Sequence, residues 1–468
     1  MTEAQTLINT VIENGFCIGC GACALDDKSP FQIEMDEFGC FKAKIIAGIN
    51  IDNSQSKVLE ICPFSDLSLN ENQLSEIFLS DAPIKSDKIG RFFDCYVGFV
   101  EDDGFRALGS SGGFGKWIGK QLLLENEIDY FVQLKTNDSN QPNNLLFDYE
   151  IFSSSDKVNE GSKSAYYPTT LINILKKIEK SKGRYAITGV PCFIKTIRLL
   201  ANANPKLKKK IKYTIGIVCG GMKSANHSKM VAWELGVHPD NLVAIDFRRK
   251  YKDRPATQKI YQVWSNKDNK EFFENANHLF GTDYGSGFFK PKACDYCDDI
   301  VAETADVSFG DAWLPQYRND PKGTSLIIVR NAKINQILRK AEENKLINIK
   351  RISEEDAVSS QSGGFRHRRE GLAYRLAKHS ESSWKPLKRV EPNISNLSNN
   401  RKRIYELRET IAAKSHSAFL RALQENNLDL FYKVMIPIEN QYKKLLNEKT
   451  LIEKIQSKIY RFLSFVKK

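Results

Sequence analysis

Cys17, Cys20 and Cys23 stand three residues apart in the run CIGCGAC, and a fourth thiol, Cys62, is followed directly by Pro63. Three thiolates at that spacing can take three corners of one iron–sulfur cubane, with the fourth corner supplied by a remote Cys-Pro. Gly19 and Gly21 let the chain turn tightly enough for its amides to face sulfide. In two-cluster ferredoxins the Cys-Pro that follows such a triplet serves the other cluster. Here that position holds Asp27 and Lys28, and no second triplet precedes Cys62. The spacing therefore predicts one [4Fe-4S] cluster on Cys17, Cys20, Cys23 and Cys62. Zinc is the competing occupant, although zinc sites favour paired CxxC knuckles.

A looser set follows: Cys192 after Gly189-Val190-Pro191, Cys219 before Gly220-Gly221, and the pair Cys294-Asp295-Tyr296-Cys297. One CxxC pair and two lone cysteines beside proline or glycine can converge on a second cluster. Spacing alone leaves a CxxC redox disulfide equally open, and lone cysteines are often core residues. Cys40 and Cys95 lie in strand-like apolar context and read as core. Ser110-Ser111-Gly112-Gly113 precedes a helical run, where unpaired amides could receive a pyrophosphate or the serines could simply cap the helix. Ser162 and Lys163 offer a hydroxyl and a cation for phosphate or ribose. Asp306 and Asp311, in ADVSFGDAW, could move protons, though strand-end carboxylates more often cap turns. His227 reads as a surface histidine. No GxGxxG follows a strand and no Walker loop occurs, so neither a Rossmann dinucleotide site nor an ATP site has support.

These residues need a scaffold, and alternating patterns supply one. Strand-like runs at Tyr96–Val100, Tyr130–Leu134, Tyr185–Thr188, Tyr213–Val218 and Ser325–Val329 alternate with helix-like runs at Phe114–Leu124, Thr169–Lys180 and Asn335–Asn344. The expected class is mixed α/β (α+β): a ferredoxin-like iron–sulfur module, an α/β core and a helical C-terminal tail. The expected divisions are 1–90, 91–210, 211–390 and 391–468, with polar linkers at Asn70–Gln73, Asp81–Asp87 and Pro386–Asn400. The chain has 468 residues, 41% of them hydrophobic and 27% charged, which excludes wholesale disorder. No apolar run is long enough to span a membrane and no leader pattern opens the sequence, so a reducing, cytoplasmic setting is expected, where clustered thiols more often ligate metal. The net charge of +12 resides after residue 360, leaving the main body close to neutral and weakening a nucleic-acid reading.

The segments CIGCGAC (17–23), ICPF (61–64), SSGGF (110–114), GSKSAYYP (161–168), GVPCFIKTIR (189–198), CGG (219–221), DFRRK (246–250), CDYCDD (294–299), ADVSFGDAW (305–313) and GTSLIIVR (323–330) run in the order of one family. Over about residues 15 to 370 the chain resembles the beta subunit of coenzyme F-420 (deazaflavin) hydrogenases and dehydrogenases, a family that includes 7-hydroxymethyl chlorophyll a reductase. The resemblance implies FAD and one or two [4Fe-4S] clusters, with Cys192, Cys219, Cys294 and Cys297 holding the second. It also assigns Ser110, Ser111, Gly112, Gly113, Ser162 and Lys163 to the flavin.

The expected function is a flavoprotein oxidoreductase that moves electrons between ferredoxin, or a partner subunit, and a small organic substrate at FAD. The alternative is an electron-transfer component of a larger complex with no substrate of its own. The basic residues near the C-terminus place Ile452, Ile455, Ile459, Phe462, Leu463 and Val466 on one helical face. Docking on the chain's own domain is the ordinary role of such a face, and contact with an acidic membrane surface or a partner is the sharper one.

Overall fold

Eight runs rich in Val, Ile, Phe and Tyr, residues that suit a pleated surface, form one mixed sheet in the computed structural model. The structure describes residues 1–137, 145–251, 254–267, 270–378, 384–395 and 397–448, and the apolar face expected at 451–466 lies outside them. The strands are β1 (Asp94–Val100), β2 (Tyr130–Thr136), β3 (Phe147–Phe152), β4 (Tyr185–Gly189), β5 (Ile211–Ile217), β6 (Val307–Asp311), β7 (Ser325–Val329) and β8 (Ile347–Ile352). Their spatial order is β8-β1-β7-β6-β5-β4-β2-β3. The central β6, β5, β4 and β2 run parallel, pairing Phe309 with Ile217, Gly189 with Gly216 and Val132 with Ile187. The flanking pairs are antiparallel. Strands from both sides of residue 210 therefore share one sheet.

Side chains alternate across that sheet, so each strand feeds two cores. Val132 and Ile187 join one, and Phe131 and Ala186 join the other. Helix α1 (Phe114–Leu124) covers the second face with Phe114, Trp117 and Ile118, beside Ile334, Ile337 and Leu338 of the helix Ala332–Glu343. Helix α2 (Pro191–Ala203) covers the first face with Phe193, Ile194 and Ile197. The cysteine-bearing N-terminal segment packs into that same core through Val11, Phe16 and Ile18. A third core joins a small sheet (Leu242–Arg249, Ile260–Ser265, Phe272–Asn275) to the long helices α3 (Asn399–Gln424) and α4 (Asp429–Asn447).

The expected linker at Asn70–Gln73 is instead a helix start. Asn70 accepts from the Gln73 amide and Gln73 returns the bond, so two polar residues that read as loop form a capping box for Glu71–Phe78. Ile84–Ser86 pairs with Gly90–Phe92 as a short hairpin. Residues near 384–390 carry little regular structure, yet they are anchored. Trp384 packs edge-on against Phe16, and the Arg389 guanidinium meets Asp298 at 3.0 Å and Glu303 at 2.6 Å, with Glu71 at 3.4 Å. Among the described residues no helix is long and apolar enough to cross a membrane.

Candidate functional site

The carboxyl ends of the parallel strands gather nearly every residue singled out above. Cys192 opens α2 just after β4, and Cys219 follows β5. Asp311 closes β6 opposite Ser325, which in turn faces Gly98 of β1. The Ser162 amide donates to Leu134 near the end of β2. Open α/β sheets bind ligands at this edge, because the loops there diverge and leave a crevice.

The first thiol set lies on a loop that glycine alone permits. A Cβ on Gly19, at φ +65°, would stand 2.4 Å from the Phe41 carbonyl oxygen. Cys17, Cys20, Cys23 and Cys62 line one small cavity. The Ala43 amide donates to Cys17 Sγ at 3.3 Å. Burial pushes Cys20 up to about 11 and Cys62 up to about 12. Cys23 is driven well above the thiol range by burial and then by Cys17, Cys20 and Cys62. Such mutual opposition keeps the thiols protonated unless cations sit among the sulfurs. Among the described residues no three His, Cys, Asp or Glu groups form a set that could hold one metal ion.

The lone cysteines lie within electrostatic reach of one another, although among the described residues no three of them form a group that could hold one ion. Cys192 feels burial first and then Cys297, Cys219 and Cys294, so residues far apart in sequence form one electrostatic group. The Met222 amide donates to Cys294 Sγ at 3.3 Å. Burial raises Cys294 and Cys297 to about 11 each. Arg368, 2% exposed, donates to the Cys219 carbonyl at 2.8 Å. Burial opposes its charge, but Cys297, Cys219 and Cys294 outweigh that and hold it protonated. Cys192 also senses Cys20, so the two sets are neighbours. Cys40 is buried between them, sensed by Cys294 and Cys17, and Cys95 is buried in β1.

The six residues expected at the flavin converge, with one difference. The serines do not cap α1, whose N-cap is Gly113 in the left-handed region. Ser111 Oγ donates to the Thr324 carbonyl at 2.7 Å, and the Gly112 amide donates to Ser325 Oγ at 2.9 Å. Ser110 Oγ accepts from the Ser164 amide at 2.7 Å, joining the 110–113 loop to the 162–164 segment. Lys163 pairs with Asp246 at 2.8 Å. Around this junction stand further cations that were not among the expected residues. Arg248 grips Asp311 with both terminal nitrogens (3.0 and 2.9 Å) and donates to the Ser110 carbonyl at 2.9 Å. Lys250 donates to the carbonyls of Arg106, Ser111 and Lys322, and burial, then Arg248, Arg106 and Lys163, lower it to about 7. Lys116, lowered to about 8 by burial, donates to Leu108 and Asn159. The buried Ser162 Oγ and Asn159 Oδ1 have no hydrogen-bond partner among the described residues. Asp311 is thus an ion-pair partner rather than a turn cap. Asp306 is likewise sealed against Arg198 at 2.8 Å and the Thr214 amide at 2.7 Å, away from any proton path.

An aromatic wall joins the cationic junction to the second thiol set. Arg248 reaches Tyr166 Oη at 3.5 Å, and the Tyr166 and Tyr284 rings lie 5.1 Å apart. Tyr284 Oη donates to the Gly221 carbonyl, two residues beyond Cys219. His227 is 1% exposed and packs on Phe247, Tyr261 and Phe289, so the surface reading fails; helix Ala225–Glu234 turns it into the third core. The segments DFRRK and GSKSAYYP carried a signal for Arg248, Lys250 and Tyr166. Arg368 and Tyr284 had none.

Two family models match the chain: the N-terminal part of the coenzyme F420 hydrogenase/dehydrogenase beta subunit over residues 95–176, and its C-terminal part over residues 182–355. A coenzyme F420-dependent sulfite reductase of Methanocaldococcus jannaschii is 23% identical over 359 residues, covering 74% of this chain and 49% of that protein. The chain thus spans about half the length of that relative. One of the subunits of the F(420)H(2) dehydrogenase of Methanosarcina mazei is 22% identical, covering 67% of this chain and 80% of its own length. Among solved structures, the F420-reducing NiFe hydrogenase complex of Methanosarcina barkeri includes a chain that aligns at a TM-score of 0.47 and 18% identity, covering 65% of this chain and 99% of that one. The chain belongs to the family of the coenzyme F420 hydrogenase/dehydrogenase beta subunit.

Proposed function

We propose that this chain is an oxidoreductase that holds FAD at the cationic junction and a [4Fe-4S] cluster on each thiol set, and exchanges electrons between an organic substrate and ferredoxin or a partner subunit. The observation that carries the reading is the continuous series of junction, tyrosine wall, second thiol set and first thiol set along one sheet edge. Both thiol sets suit a cubane through largely buried, mutually opposed sulfurs and an amide donating to sulfur, and the first set also lines a cavity. The junction fits a pyrophosphate and a ribose, since buried Ser162 Oγ and Asn159 Oδ1 wait for partners among lysines and arginines.

A flavin accepts electrons in pairs and passes them singly, whereas a cubane carries one at a time. The protein's part is to position and to insulate. Arg248, fixed by both oxygens of Asp311, presents its charge without being free to swing away. Lys250 and Lys116, oriented by backbone carbonyls, gain a proton when an anion arrives, because burial has already weakened their hold on it. Tyr166 and Tyr284 keep water from the path between junction and sulfurs. Arg368 offsets the negative charge that gathers around Cys219, Cys294 and Cys297.

Purification without oxygen, followed by assay of iron, sulfide and flavin and by paramagnetic resonance of the reduced protein, tests this. Two cubanes and one FAD per chain are expected, and protein lacking both iron and flavin overturns it. A second reading, an electron-transfer component without its own substrate, draws on the Methanosarcina mazei relative, which is named as part of a dehydrogenase. Isolation only in complex with a dehydrogenase partner, with no substrate reduced by the chain alone, would favour it.

A further inference from the structure

Lys259 occupies a place that neither the junction nor the thiol sets require. Its Nζ lies 5.4 Å from the ring centre of Tyr166 and 5.4 Å from that of Tyr284, so it caps the wall between them. The side chain is half-buried, and among the described residues it forms no ion pair with a carboxylate. Other cations nearby are committed. Arg248 is held by Asp311 and Lys163 by Asp246, and Lys223, behind Tyr284 at 4.9 Å, donates to the Phe288 carbonyl from a fully buried position. Among the described residues, Lys259 is a cation at the wall that meets no carboxylate at ion-pair distance, although Asp311, held by Arg248, still feels its charge.

We infer that Lys259 is a positioning residue for the redox ring, its ammonium set to neutralise the charge that reduction brings to the wall. The inference rests on the proposed binding of FAD at the junction. Tyr166 and Tyr284 would flank a ring that served the Cys219 and Cys294 sulfurs from that junction, since Arg248 touches Tyr166 and Tyr284 reaches Gly221. Hydride transfer breaks a C–H bond of the substrate and adds two electrons and one proton to the ring, leaving one net negative charge there and the substrate oxidised by the same pair. When the electrons leave singly toward the sulfurs, the proton returns to solvent. A cation without a carboxylate partner favours the charged, reduced side of that balance and leaves the oxidised side unchanged. Cation–π contact with both tyrosines holds the flexible lysine stem in place.

The test uses the full chain reconstituted anaerobically with iron, sulfide and FAD, comparing wild type, Lys259→Met and Lys259→Arg. Fluorescence quenching gives the affinity for oxidised FAD, and spectroelectrochemical titration gives the midpoint potential. Lys259→Met should weaken binding of reduced FAD about tenfold while oxidised FAD binds within about twofold of wild type, a fall of about 30 mV for a two-electron couple. Lys259→Arg should restore most of the difference. Equal weakening of both redox states, or an unchanged potential in Lys259→Met, overturns the role of Lys259 while leaving FAD binding intact. Wild-type protein that fails to bind FAD overturns this inference together with the proposed function.

Discussion

Replacing Arg368 with methionine should lower the potential of the cluster proposed on Cys192, Cys219, Cys294 and Cys297 without touching its neighbour. The guanidinium is buried and donates to the Cys219 carbonyl at 2.8 Å, which places it roughly 7 Å from the nearest sulfur. At an effective dielectric near 20, a unit charge at that distance contributes about 2 kcal/mol to each added electron. For a one-electron couple this is roughly 100 mV, and the sign is downward, because removing a cation makes a further negative charge harder to accept. Arg368→Lys keeps the charge and should recover most of the shift. Anaerobic potentiometric titration followed by paramagnetic resonance reads both clusters in one sample, so the set on Cys17, Cys20, Cys23 and Cys62 serves as an internal reference. If both centres moved together, or if Arg368→Met changed neither, the pairing of Arg368 with the second set would be wrong. Iron content is the second readout: a fall confined to the variant would assign Arg368 to holding the cluster.

Other expectations follow from the same geometry. Cys20→Ala and Cys192→Ala should each remove about half of the iron and sulfide, the first leaving the second cluster's resonance and the second leaving the first's; loss of all iron in either would mean one shared centre. Arg198→Met strands Asp306 in the core, and denaturant titration should find a loss of about 3–5 kcal/mol, mostly recovered by adding Asp306→Asn. Lys250, lowered to about 7 by burial and by Arg248, Arg106 and Lys163, is protonated below that pH when the site is empty. FAD affinity should therefore fall as pH rises from 6 to 8, with Asp311 the nearby carboxylate moderating the change, and Lys250→Met should flatten the profile. The unfolded chain keeps the Lys250 proton up to its ordinary value near 10.4, so that lysine makes the folded state gain stability with pH across the window from about 7 to 10.

Local chemistry was legible in the sequence, and long-range convergence was not. CIGCGAC and the remote Cys-Pro marked the four thiols that line one cavity. The strand Ser325–Val329 and the helix Phe114–Leu124 were readable to the residue, the first as a short apolar run buried throughout and the second by its apolar face. The meeting of Cys192 with Cys219 and Cys294 depends on β4 and β5 lying parallel and adjacent, a topological fact with no local mark. The segment DFRRK pointed to Arg248, but its pairing with Asp311 across the edge is hidden for the same reason. Asn70 and His227 misled in opposite ways. A polar residue at a helix start looks like loop until its partner three residues on is counted, and a histidine between polar neighbours looks exposed although its helix turns it toward phenylalanines.

Arg389 grips acids from two distant segments of the chain, Glu71 from the thiol-bearing N-terminal segment and Asp298 and Glu303 from just after Cys297. During synthesis, ribosomes that add about 5–20 residues per second would leave the first four thiols without this clasp for tens of seconds. Assembly of the proposed metal centres would therefore be a late event, with nascent chains the form most exposed to air. Oxygen should harm production of the protein more than the finished molecule.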